Sequence, residues 1–115
     1  MAYALHMQII ETSIFARQIV KLLKKQEYLD LRAQLAASPE AGVVIKGTGG
    51  ARKLRWAAKG KGKSGGIRVI YYFQDSQGKI FLLLAYSKSD QDDLTPDQAK
   101  AVRKLVEGFK DQDEE

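Results

Sequence analysis

Eight basic side chains, Lys46, Arg52, Lys53, Arg55, Lys59, Lys61, Lys63 and Arg68, fall in one stretch that also holds seven glycines and no acidic residue. Cations at that density bind a polyanion by releasing its counterions and steer its approach. The chain carries 19 basic and 14 acidic residues, so outside this stretch the acids outnumber the bases, 14 to 11. The positive charge is local, and the block is the expected working surface. Its partner by charge alone is a nucleic acid, an anionic membrane surface or an acidic protein. Tyrosines, a tryptophan and glycines near the charges favour nucleic acid, because aromatic rings stack on bases and glycines let backbone approach phosphate.

Within the block, Lys53 and Arg55 alternate along an expected strand and so point the same way, with Arg68 near them on the next strand. Three cations gathered on one sheet face are poorly stabilised unless an anion docks there or acids from elsewhere pair with them. Tyr86 and Lys88 share a face at the end of the last strand. Asp90, Asp92 and Asp93 come next, but their spacing lacks the glycine turn and the final glutamate of a calcium loop, and they read as a solvated turn. Gly62-Lys63-Ser64 looks like the end of a phosphate-binding loop. That loop needs a glycine where Ala57 stands and must lead into a helix, whereas a strand comes after it here. Residues 58–66 (AKGKGKSGG) are read instead as a mobile basic arm whose Lys59, Lys61 and Lys63 touch phosphate backbone, together with Arg52. Tyr71 and Tyr72 occupy opposite faces of their strand, one for the core and one available for stacking.

At 115 residues, with 44% apolar content and two prolines, the chain is expected to fold as one domain over residues 1–115. It has no cysteine, which excludes disulfides, thiolate metal sites and thiol nucleophiles and suits a reducing compartment. His6 is the only histidine, so neither a zinc triad nor a two-histidine acid/base pair can form within one chain. No cofactor or metal is expected. No apolar run reaches the roughly 20 residues that span a bilayer, and a cytoplasmic protein with no membrane partner is expected.

The elements that must position these residues are legible from periodicity. His6 to Glu11 reads as a strand, and Thr12 or Ser13 caps a helix with Phe15, Ile19, Leu22 and Leu23 on its apolar face. Tyr28, Leu31 and Leu35 mark a second helix, which Ser38-Pro39 and Gly42 end. Val43 to Gly50 reads as a connection, Arg52 to Ala57 as a strand with Leu54 and Trp56 on one face, Ile67 to Phe73 as a strand, Asp75 to Gly78 as a turn, and Ile80 to Tyr86 as a strand. Thr95-Pro96-Asp97-Gln98 is a capping box with proline at the first helical position. It opens a helix to about Lys110 whose expected buried stripe is Val102, Leu105, Val106 and Phe109. Residues 111–115 form an acidic tail expected to fray. The order is strand, two helices, three strands, helix: an α+β domain with helices on one face of a mostly antiparallel sheet.

The segments GTGG-x-RK-x-R, GG-x-R-x-I-Y-Y and Y-x-K, with the element order, resemble the bacterial RelE/HigB toxin superfamily, in particular its HigB-like branch, over nearly the whole chain. The resemblance implies a RelE-like domain that enters the ribosome and cuts mRNA without a metal, leaving a 2′,3′-cyclic phosphate. It also implies a cognate antitoxin, a helix-turn-helix protein, through which alone operator DNA is contacted. Carried over, Lys53 and Arg55 match two basic residues of the second strand, Arg68 the arginine of the third, and Lys88 a basic position after the last. An arginine and a tyrosine of the RelE branch fall at Ser89 and Thr95, so Tyr86 or a lysine, Lys53 or Lys88, would have to serve as base. The alternative is a member of the fold that binds nucleic acid or an antitoxin without catalysis.

Overall fold

The computed structural model describes residues 7–58 and 66–113. His6, the arm lysines Lys59, Lys61 and Lys63, and the end of the acidic tail lie outside the described residues. The elements run β1 (Gln8–Glu11), α1 (Ser13–Leu22), α2 (Lys25–Ala37), β2 (Val43–Val44), β3 (Arg52–Ala58), β4 (Gly66–Gln74), a 3-10 turn (Asp75–Gln77), β5 (Lys79–Ser87) and α3 (Pro96–Asp113). They form a five-stranded sheet in the order β1-β5-β4-β3-β2. Only the β1–β5 pair is parallel; the other three are antiparallel.

The α+β class stands as expected, the element order gains only the short strand β2, and the layers need one correction. Phe15, Ile19, Leu31 and Leu35 of α1 and α2 pack with Ile67, Val69, Tyr71, Ile80 and Leu82 on one face, whereas Val102 and Val106 of α3 pack with Ile70 and Leu83 on the other. The helices therefore cover both faces rather than one. The reason is in β4, whose Ile67, Val69, Ile70 and Tyr71 are apolar at positions of both parities, so each face needs a cover.

Local chemistry sets the joints. Thr12 Oγ1 accepts from Phe15 N at 3.0 Å and donates to Leu83 O at 3.0 Å, so one hydroxyl caps α1 and ties it to β5. Thr95 Oγ1 accepts from Gln98 N at 3.1 Å and Gln98 Oε1 accepts from Thr95 N at 3.0 Å, the capping box read from the sequence. In the GTGG turn, Thr48 is buried, donating to Ile45 O at 2.7 Å and accepting from Ala51 N at 3.1 Å. Gly49 and Gly50 there have φ of +78° and +120°, which side chains rarely adopt.

Other differences are local. Val43 and Val44, read as connection, pair with Lys53 and Arg52 as a two-residue edge strand. Ala58 and Gly66, read as arm, close β3 and open β4. Leu105 is 43% exposed, because the buried stripe of α3 centres on Val102, Val106 and Phe109 and leaves Leu105 at its border. Phe109 stacks on Phe81 with ring centroids 3.9 Å apart.

A β-bulge interrupts the pairing of β4 with β5. Ile70 pairs with Leu84 and Tyr71 with Leu82, so Leu83 is an extra residue in β5. Before it, Ile80 and Leu82 face α1 and α2; after it the alternation is inverted, and Leu84 and Tyr86 face the α3 side.

Tyr71 closes the α2–β2 corner, donating to Pro39 O at 2.7 Å and accepting from Gly42 N at 2.9 Å. Tyr71→Phe leaves that buried N–H unpaired and is expected to lower the unfolding free energy by about 1–3 kcal/mol. Urea denaturation measures it; an unchanged midpoint would show the hydroxyl to be dispensable.

Candidate functional site

Strand register assembles the site. Arg55 pairs with Arg68, and Arg68 with Tyr86, so the three side chains form one row across β3, β4 and β5. Lys53 lies one step along the same face, opposite Ile70. The sheet thus brings together four of the residues singled out in the sequence, and Lys88, just past β5, adds a fifth through the connection to α3. Lys88 N donates to Gly66 O at 3.0 Å, which fastens that connection to the start of β4.

Arg52 does not join them. Its parity puts it on the opposite face, paired with Tyr71, where its guanidinium donates to Glu40 O at 3.1 Å and Gly42 O at 2.8 Å and pairs with the Glu40 carboxylate at 3.5 Å. It holds the α2–β2 corner. Of the two tyrosines read as one core and one available for stacking, Tyr71 is the buried one, and Tyr72 lies parallel to Phe109 at 6.2 Å.

The sequence left open whether an anion docks on this face or acids from elsewhere pair with its cations, and the structure supplies two acids. Lys53 Nζ bonds Asp93 Oδ1 at 2.6 Å, and Lys88 Nζ bonds Asp92 Oδ1 at 3.1 Å. The residues read as a solvated turn are the counter-ions of the site. The Lys88–Asp92 pair has a sequence signal, since the two are four residues apart; the Lys53–Asp93 contact spans 40 residues and depends on how the 88–95 connection crosses the sheet. Bonding to Lys88 holds the Asp92 carboxyl below its ordinary range. Arg55 is exposed and has no carboxylate partner among the described residues.

Arg68 and Tyr86 are the interior members. Arg68 is 2% exposed, and its Nη1 donates to Ile67 O at 3.1 Å. Tyr86 is 7% exposed, and its hydroxyl has no hydrogen-bond partner among the described residues. Burial raises its pKa above the ordinary value of 10.0; Asp93 and Asp92 push the same way, and Arg68 opposes them. At neutral pH, Tyr86 is therefore a proton donor. That argues against Tyr86 as the base and for a hydrogen bond from it to an incoming anion.

The arrangement can hold a phosphodiester and stabilise charge that builds on it. Guanidinium groups and ammonium groups lie in a patch one to two strand spacings across, with a buried hydroxyl among them. Among the described residues, no group of His, Cys, Asp and Glu is arranged to hold a metal ion, and no helix is long and apolar enough to cross a membrane.

Comparison with known proteins gives the family and the fold. Residues 7–115 match the family model described as the RelE toxin of the RelE/RelB toxin-antitoxin system. The fold is similar to the structure of the intact E. coli RelBE toxin-antitoxin complex, with 17% identity, a TM-score of 0.53, and coverage of 68% of this chain and 92% of the other. It is also similar to the isolated E. coli RelE toxin, at 16% identity and a TM-score of 0.54, covering 85% of this chain and 97% of that one.

Because the Tyr86 hydroxyl is buried without a partner, Tyr86→Phe is expected to leave stability unchanged or raise it by up to about 1 kcal/mol at neutral pH. The folded tyrosine resists ionisation, so its contribution to stability is present below the ordinary tyrosine pKa and lost as pH rises through the raised one. The variant should lose less stability than wild type above pH 10.0, as measured by urea midpoints across alkaline pH. A variant destabilised at neutral pH would mean that the hydroxyl has a bonding role in the free protein.

Proposed function

The chain belongs to the RelE toxin family of toxin-antitoxin systems, and from that premise we propose that it is an mRNA endoribonuclease that cuts message on the ribosome. The observation that carries the reading is the row of Arg55, Arg68 and Tyr86 flanked by Lys53 and Lys88. RNA brings its own nucleophile. The 2′-hydroxyl attacks phosphorus with its proton passing to water, forms a 2′,3′-cyclic phosphate and breaks the bond to the 5′-oxygen, which takes up a proton as it leaves; the step needs no metal.

Charge on the phosphorane is the term such a site can lower, and preorganised donors in a shielded place do so most effectively. Arg55 supplies its guanidinium group to the phosphoryl oxygens, Lys53 and Lys88 supply ammonium groups, the protonated Tyr86 supplies a hydrogen bond, and the enclosed Arg68 adds its positive charge from within the row. Lys59, Lys61 and Lys63 are assigned to the backbone of mRNA or ribosomal RNA, where contacts position the protein without reading sequence. The cognate antitoxin is proposed to be a helix-turn-helix protein, with operator DNA reached only through it.

A second reading has one observation in its favour. By the resemblance, an arginine and a tyrosine of the RelE branch fall at Ser89 and Thr95, and Thr95 is occupied as the cap of α3. On that reading the protein holds RNA without cutting it.

Induced expression of the wild type is expected to arrest growth and leave transcripts cut within their coding regions, mapped by primer extension. Lys53→Ala and Arg55→Ala each lower cleavage by about a hundredfold on isolated ribosomes while melting near wild type, since both side chains project from the sheet surface. Arg68 is too buried for an informative alanine variant; Arg68→Lys keeps the charge and tests the guanidinium fork. Normal growth with intact transcripts overturns the endonuclease reading, and RNA binding without cleavage selects the second. Separately, replacing Lys59, Lys61 and Lys63 with alanine should reduce co-sedimentation with ribosomes while leaving the melting temperature unchanged. Undiminished co-sedimentation removes the arm from the proposal.

A further inference from the structure

We propose that Asp92 and Asp93 are internal stand-ins for two substrate phosphates, so that the connection from β5 to α3 sets both the affinity and the kind of anion the site accepts. The inference rests on the RNA-binding reading of this face. Two carboxylates from adjacent residues occupy two of its cations, Asp93 on Lys53 at 2.6 Å and Asp92 on Lys88 at 3.1 Å. A chain of RNA presents the same thing, anionic oxygens on successive units of one backbone.

The pairs are built to exchange. Asp92 and Asp93 side chains are 72% and 73% exposed, and ion pairs so open to water are weak. The backbone that carries them is braced: Gln91 Nε2 donates to Asp93 O at 2.9 Å and to Gln98 Oε1 at 2.8 Å, and Gln98 in turn closes the cap of α3. Rotation of two side chains therefore frees both lysines without moving the helix. The Tyr86 hydroxyl gives the independent sign that the site is made for a further acceptor. It is buried, unpartnered among the described residues and acted on by Asp93, Arg68 and Asp92, yet neither carboxylate bonds it. On this proposal a phosphate that displaces Asp93 reaches further in than the carboxylate does and gives that hydroxyl its acceptor.

Selectivity is the consequence. A lone phosphate or mononucleotide can replace one carboxylate and leaves the other paired, while adjacent phosphates of one strand replace both. The aspartates thus set a threshold that small cellular anions do not meet and a polynucleotide does.

The test uses the full-length protein and a short fluorescent 2′-O-methyl RNA, which binds but cannot be cut, monitored by anisotropy across a salt series. Asp92→Asn with Asp93→Asn should tighten binding by roughly tenfold. The slope of log affinity against log salt should steepen by about 1.4, the value for two more phosphates neutralised on a single strand. Asp93→Asn alone should give about half the logarithmic gain. Asp30→Asn with Asp111→Asn changes the net charge equally but on α2 and at the far end of α3, and should shift affinity far less. Affinity that is unchanged, or that rises equally in this control, overturns the inference while wild-type binding upholds the reading beneath it. If wild type and all variants fail to bind RNA, both fall together. With cleavable message on isolated ribosomes, cleavage lost in the asparagine variants at unchanged affinity for the 2′-O-methyl RNA would also overturn it, assigning the aspartates to positioning Lys53.

Discussion

One additional residue in β5 governs the geometry of this molecule. Side chains alternate along a strand with a period of two, so an inserted residue inverts every position beyond it. Leu83 is that residue. Without it, Tyr86 would point with Leu82 into the layer under α1 and α2; with it, Tyr86 stands beside Arg68 on the opposite face. The bulge is fixed from both sides: Leu83 O accepts the Thr12 hydroxyl that caps α1, and the Leu83 side chain is buried with Val102 and Val106 of α3. The start of one helix, the packing of another and the composition of the candidate site are consequences of the same irregularity.

The second constraint is the burial of β4 from both sides. A central strand covered on two faces offers a low-dielectric setting for anything polar on it, and Arg68 sits there almost wholly enclosed. A guanidinium tolerates such a place because it keeps its charge and spreads its donors over several acceptors. At the periphery of the same face, lysines are balanced by exposed carboxylates, and Arg55 carries charge without such a counterweight among the described residues. Charge is therefore graded across the row, from a fixed interior arginine to side chains that water and ligands can reach.

Much of this was legible in the residues. Alternation placed Lys53 and Arg55 together, the capping box located α3 through Thr95 and Gln98, and the apolar periodicity of Phe15 and Ile19 set the face of α1. What escaped was long-range. Nothing near Leu83 in the sequence marks a bulge, since the run from Phe81 to Ala85 is apolar on both parities. Asp92 and Asp93 look like a solvated turn until the connection is laid across the sheet. Arg52 belongs by sequence to the basic block and by parity to the other face, because charge density along a chain says nothing about which side of a strand a residue takes. The GTGG segment, read only as part of a connection, forms a turn that Thr48 holds from inside.

The sheet closes on one side with β2, a strand of only two residues whose valines are exposed. An open edge offers unpaired backbone groups to any other extended chain, and long edges invite self-association. Here β2 covers β3 only at Arg52 and Lys53, so beyond its two residues the outer edge of the sheet is formed by Leu54 to Ala58 of β3. Any strand added on that side would run past the exposed Arg55, so a charge on the edge, and not brevity alone, limits what can pair there.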